Sequence, residues 1–165
     1  MECELCNFKN PKATATAVII KDGKLLLLKR NEEPYKGMWD LVGGYLDENE
    51  TPEEALHREL KEELGTDATL DFITCFPGTA TWKDKTFPIL GHFYLADLIT
   101  EPKLNTAENS ALTWVPLSEI DPKSVAFDSN VKIVEYIKKH FTVDFESLKR
   151  LIAQLDTSVI IREIN

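Results

Sequence analysis

Apolar and polar residues follow two different rhythms along this chain. Residues Ala13 to Ile20 alternate Thr with Ala and Val and then turn aliphatic, which predicts a strand. Asp22-Gly23 is a strong two-residue hairpin signal. The returning run Lys24 to Arg30, KLLLLKR, is apolar enough to be buried on both faces. Asn31 to Met38 is a polar loop, and Trp39 to Val42 is a short apolar segment leading into Gly43-Gly44. Further on, Thr69 to Phe76 reads as a strand broken by Pro77-Gly78. A polar loop with Trp82 then spans Thr79 to Lys85, and Thr86 to Leu98 is a long strand kinked at Pro88. These two strands are expected to pair as a hairpin. Ala111 to Leu117 is a last strand.

The second rhythm is helical. Leu56, Leu60 and Leu64 form one apolar stripe, and Val131, Val134 and Ile137 form another, with Asp128 or Ser129 as its cap and His140 near its end. A further amphipathic run follows at Phe145, Leu148, Leu151 and Ile152, with an edge strand at Ser158 to Arg162. Strands, a glycine turn and helices mixed in this order argue an α/β or α+β sandwich.

The stretch Gly43 to Thr66 organises the rest. Thr51 suits an N-cap, Pro52 the first helical position and Glu54 the third, which together make a capping box. Gly65 supplies the left-handed residue that ends the helix. Between them Glu59, Glu62 and Glu63 stand at i, i+3 and i+4, on an arc roughly 100° wide. Like charges on one arc repel, and a cation relieves that cost. Carboxylates without neighbouring thiols suit a hard, oxygen-seeking ion such as Mg²⁺ or Mn²⁺. The plain alternative is a solvated acidic face with Glu54, Arg58 and Lys61 as ion-pair partners.

Gly44, five residues, Glu50, seven residues, then Arg58-Glu59-Leu60-Lys61-Glu62-Glu63-Leu64-Gly65 resembles the Nudix box of the Nudix hydrolases. Thr66 stands where the pattern has an aliphatic residue, and Val42 where Trp-x-Leu-Pro-Gly-Gly has its proline. The resemblance implies a Nudix-type α/β/α sandwich with a mixed sheet over residues 13–141. Residues 1–12 then form an N-terminal segment and 142–165 an extension for packing or a homodimer contact. It also implies hydrolysis of a nucleoside diphosphate linked to a group X, by water attack on phosphorus. An ADP-ribose-like or nucleoside triphosphate substrate is expected. The implied ligands are Glu59, Glu62, Glu63 and the Gly43 carbonyl. Glu59 is expected either to complete the metal set or to orient and deprotonate the water. Arg58 would hold one glutamate in place, and Glu50 would support the site through water. Glu108, in the loop before the Trp114 strand, is implied as an extra ligand or as the base. Arg30, at a strand end, reads equally as a phosphate contact or a solvated charge. Gly44 gives close backbone approach to substrate. Trp82 is a base-stacking candidate or a partly buried anchor.

Composition narrows the alternatives. The 165 residues suffice for one domain with a core, and 43% of them are hydrophobic. A formal net charge of −9 argues against nucleic-acid and anionic-membrane surfaces. No apolar run approaches a membrane span, and no signal-peptide core is evident, so a cytoplasmic protein is expected. Cys3-x-x-Cys6 resembles half of a zinc ribbon, as in the NADH pyrophosphatases, but a structural zinc wants four ligands and no second pair follows. The Ser-Gln-Pro-Trp-Pro-Phe-Pro stretch of that branch is absent from Asp67 to Thr86 as well. Two rivals stand beside the enzyme: a non-catalytic Nudix-fold module that senses a nucleotide, and an interaction protein working through its tail. The intact Arg-Glu and Glu-Glu pairs favour catalysis. His57, His92 and His140 are scattered and receive no catalytic role.

Overall fold

The computed structural model describes residues 10–140. The Cys3/Cys6 pair and the helix and strand expected after Thr142 lie outside the described residues. The chain runs through β1 (Lys12–Val18), β2 (Ile20–Lys21), β3 (Lys24–Arg30), β4 (Trp39–Asp40), β5 (Val42–Tyr45), α1 (Pro52–Leu64), β6 (Ala68–Trp82), β7 (Lys85–Leu98), β8 (Asn109–Pro116) and α2 (Asp128–His140). One sheet has the order β5-β1-β7-β6, in which β1 and β7 are parallel and the other pairs antiparallel. In the other, β3 pairs with β8 along one edge and with β2 and β4 along the other.

The four leucines of β3 explain the layering. Leu26 and Leu28 pack with Ala15, Ala17, Val42 and the α1 stripe Leu56, Leu60 and Leu64. Leu25 and Leu27 point the other way, into Val18, Phe93, Leu95 and the α2 residues Ile133, Val134 and Ile137. Period-two strands thus feed a helix on each side, as the apolar run implied. All four leucines are essentially inaccessible to solvent. Asp22 and Gly23 both adopt left-handed φ, the conformation a two-residue hairpin turn requires. No helix among the described residues is long and apolar enough to cross a membrane.

Three local expectations are corrected. Pro77-Gly78 does not end a strand: β6 continues through it to Trp82, with Pro77 opposite Leu90. A proline lacks an N–H, but β6 is an edge strand and position 77 faces away from β7, since the Pro77 carbonyl accepts from Lys132 and the Thr79 N–H goes to Asp128, so no ladder bond is forfeited. Trp82 accordingly closes a strand at a hairpin tip, opposite Lys85, and does not sit in a loop. Asp128 lies inside the first turn of α2, and its carboxylate accepts from the Thr79 backbone N–H at 2.7 Å, tying α2 to β6.

Candidate functional site

Helix α1 begins as its sequence dictates. Thr51 Oγ1 accepts from the Glu54 N–H at 3.2 Å, and Glu54 Oε2 accepts from the Thr51 N–H at 2.8 Å. Gly65 terminates it at φ 60°. Leu56, Leu60 and Leu64 are fully buried, so the glutamate arc is turned toward β5 and the glycine pair.

The three acids of the arc meet different surroundings. Glu63 turns inward: Oε2 accepts from the Gly43 N–H at 3.1 Å and Oε1 from the Asn109 amide at 2.7 Å. Burial pushes its carboxyl up to about 8, although both of those hydrogen bonds pull the other way. Glu59 lies against Gly44, where a Cβ would come within 2.7 Å of its Cδ. Burial raises its pKa first; Arg58 lowers it, and the charges of Glu62 and Glu108 raise it again. Glu62 is more open, with its side chain 58% exposed. The carboxylates of Glu59, Glu62, Glu63 and Glu108 therefore form one repelling group.

Arg58 is the cation inside that group. It donates from Nε to Glu50 Oε1 at 2.8 Å and from Nη2 to Glu50 Oε2 at 3.0 Å. Nη1 reaches Glu59 at 2.8 Å and Glu62 at 3.3 Å, and Nη2 also reaches the Tyr45 carbonyl at 3.0 Å. Its expected surface partner Glu54 is occupied by the capping box. Glu50 thus acts by direct contact with Arg58, where support through water was expected. The hydrogen bonds from Arg58 hold Glu50 down to about 2, so it stays ionised.

The remaining candidates have surroundings of their own. Arg30 donates from Nη1 to Asp40 at 2.9 Å and from Nε to the Pro34 carbonyl at 2.8 Å, and its guanidinium sits 5.1 Å from the Phe127 ring centroid. Asp40 is buried and also accepts from the Asn130 amide at 2.7 Å. Trp82 is 44% exposed, with the Lys83 ammonium 6.0 Å from its ring centroid. Glu108 is exposed, and its backbone carbonyl accepts from the Asn31 N–H at 2.9 Å. Asp40, Asn109 and Asn130 escaped the sequence reading. Nothing local marks them, because each partner is remote in the chain.

A divalent cation fits the chemistry of these donors. They are all oxygens, two of the acids are held where ionisation is costly, and the adjoining glycines leave no room for a Cβ. As the side chains stand, no three acidic, histidine or cysteine groups among the described residues converge into a cage. The fit is one of donor type and placement on α1.

A family model for the NUDIX domain matches residues 11–136. The chain belongs to the Nudix hydrolase family. Its structure resembles a MutT Nudix hydrolase from Burkholderia pseudomallei with a TM-score of 0.67 and 27% identity, covering 76% of this chain and 97% of that one. It also resembles the Nudix domain of Shewanella oneidensis NrtR, crystallised with ADP ribose, at a TM-score of 0.65 and 25% identity over 82% of this chain and 91% of that one. In sequence, 58 residues are 45% identical to an ADP-ribose pyrophosphatase of Methanocaldococcus jannaschii, spanning 35% of this chain and only 34% of that protein. A MutT-like protein of Streptomyces ambofaciens is 28% identical over 111 residues, 67% of each chain. The Nudix box of this chain, Gly44 to Gly65, is thus the turn-and-helix unit that carries the glutamate arc.

Proposed function

We propose that the protein hydrolyses a phosphoanhydride bond in a nucleoside diphosphate linked to a second group, or in a nucleoside triphosphate, with a divalent metal. The observation that carries this reading is the position of Glu59 and Glu63. Glu59 is pressed against Gly44 and Glu63 accepts from the Gly43 N–H, both with carboxyls raised by burial, a costly arrangement that a cation would relieve. Glu59, Glu62 and Glu63, with the Gly43 carbonyl, would hold Mg²⁺ or Mn²⁺. When bound, the ion would offset charge developing at phosphorus and acidify a water.

The chain's own groups supply the rest. Arg58 orients Glu59 and Glu62 and is itself oriented by Glu50. Glu108 is an acid of this group whose side chain makes no hydrogen bond to a described residue, and its charge raises the pKa of Glu59. In this reading Glu108 serves as an extra metal ligand or accepts the proton of the attacking water. Gly44, expected to admit a phosphate, instead gives the Glu59 carboxylate its room against the backbone. Arg30 serves the substrate only indirectly, by fixing the loop through Pro34 next to Asp40.

The names of the relatives support a phosphoanhydride and leave X open. Besides the ADP-ribose pyrophosphatase, they include a CTP pyrophosphohydrolase of Escherichia coli, 44% identical over 55 residues, 41% of that protein. The experiment is a panel of ADP-ribose, NADH, CTP and 8-oxo-dGTP with Mg²⁺ or Mn²⁺, with products identified by chromatography. Cleavage of at least one is expected, with E62Q and E63Q each lowering turnover on the order of 100-fold or more. Wild-type turnover in either variant overturns the ligand assignment. A nucleotide-sensing module is the second reading, and the NrtR domain crystallised with ADP ribose supplies its probe: tight binding of ADP-ribose with no product from any substrate would establish it in place of catalysis.

A further inference from the structure

The segment between β7 and β8 is fastened to the end of the helix that bears the glutamates. The Lys103 N–H donates to the Leu64 carbonyl and the Asn105 N–H to the Glu63 carbonyl, both at 2.8 Å. The Asn105 side-chain amide donates to the Glu62 carbonyl at 2.9 Å. These carbonyls belong to the last turn of α1, where no intrahelical partner exists, so the segment caps the helix from outside. It then enters β8, where Asn109 pairs with Arg30 across the ladder and Asn31 bonds to the Glu108 carbonyl. Main chain is therefore held on both sides of Asn109.

We propose that Asn109 is a positioning residue for Glu63, setting the direction in which that carboxylate faces before a cation is bound. This rests on the reading of Glu63 as a metal ligand. Asn109 is 4% exposed and donates from Nδ2 to Glu63 Oε1 at 2.7 Å. Toward the ionised carboxylate that a cation requires, the amide can donate only through its NH₂. The second oxygen, Oε2, is taken by the Gly43 N–H. One carboxylate is thus gripped by donors from two different strands, β8 and β5, each fixed by its own ladder. A single donor would leave the group free to pivot about one oxygen; two remove that freedom. A carboxylate has about four acceptor directions, so each oxygen keeps one for a ligand. Partners that orient a metal ligand in this way typically change metal affinity by ~10–100-fold when removed.

The test is a double-mutant cycle on the substrate-free protein, reading Mn²⁺ affinity by electron paramagnetic resonance and folding by thermal melts. N109L keeps the approximate shape of the buried side chain and removes the donor; N109S removes it with a smaller residue and serves if leucine disturbs folding. The expected result is Mn²⁺ binding weakened ~10–100-fold by N109L, and at least as much by E63Q. The double variant should bind no more weakly than E63Q alone, because Asn109 then has nothing to orient. The proposal is overturned if N109L and N109S bind Mn²⁺ like the wild type while E63Q does not. It is equally overturned if N109L weakens binding by the same factor in the E63Q background, which is the mark of a purely structural residue. Unchanged Mn²⁺ affinity in E63Q removes Glu63 from the ligand set, and the proposal with it.

Discussion

Arg58 and Glu50 are joined by two parallel hydrogen bonds, Nε to Oε1 at 2.8 Å and Nη2 to Oε2 at 3.0 Å. This fork leaves Nη1 to face Glu59 and Glu62, so Glu50 aims the guanidinium at the acids. Lysine offers a point charge without the fork. R58K is therefore expected to stay folded and to lose turnover by ~10-fold or more, because Glu59 loses its fixed orientation. E50Q should show a milder loss, since an amide oxygen still accepts one of the two bonds. Equal turnover of R58K and wild type would show that the clamp has no catalytic consequence.

Gly43 and Gly44 are adjacent, but they exclude a side chain for different reasons. At Gly43 φ is 145°, and a Cβ would lie 2.8 Å from the Thr16 Cα, so backbone would have to move. G43A is expected to lower stability by about 2–3 kcal/mol. At Gly44 the obstructing group is the Glu59 carboxylate, a side-chain end and not backbone. G44A should melt within a few degrees of wild type while losing most of its activity. Urea titrations and turnover measured side by side separate the two, and a G44A protein that is folded and fully active would count against a working role for Glu59.

The parts of the molecule that were legible in its sequence are those written in neighbouring residues. The capping box, the Gly65 stop, the Leu56-Leu60-Leu64 stripe and the Asp22-Gly23 turn each depend on a few consecutive positions, and each is present. The partner of Arg58 was not legible in this way. Spacing favours Glu54, four residues back, but Thr51 claims that carboxylate, and the chain bends so that Glu50 meets the guanidinium. Pro77 misled for a related reason: whether a proline breaks a strand depends on which strands flank it, and only the sheet order shows that β6 lies at an edge. Asp40 and Asn130, 90 residues apart, and Glu63 and Asn109, 46 apart, are hydrogen-bonded pairs that no window along the chain contains.

At the far end of α1, Asp67 gathers His57, Lys61 and the Ala68 N–H around one carboxylate. Burial alone would raise its pKa, but the hydrogen bonds from His57, Ala68 and Lys61 outweigh it and hold Asp67 down to about 2. A group lowered in the fold stabilises the protein above its ordinary pKa of 3.8, and that contribution disappears as pH falls through 2. D67N should therefore be less stable than wild type at pH 7, with the gap closing between about pH 4 and 2. Denaturant midpoints across that range test this, and a gap that persists undiminished at pH 2 would assign the loss to packing.

Glu63 has the opposite sign. Its carboxyl is raised from an ordinary 4.5 to about 8, so the fold binds that proton more tightly than the unfolded chain does. The metal-free protein should then lose stability as pH climbs from about 4.5 to about 8. A divalent cation at the site reverses the balance by favouring the ionised form. Mg²⁺ at one hundred times its dissociation constant would add about 2.7 kcal/mol, removable with EDTA. At a fixed Mg²⁺ concentration the gain should be larger at pH 8 than at pH 6, because less of the proton then remains to be displaced. In E63Q both the downward slope with pH and most of the Mg²⁺ effect should vanish together. If instead E63Q keeps the slope but loses the Mg²⁺ effect, the titrating acid is another member of the cluster, and Glu59, also raised by burial, is the next to substitute.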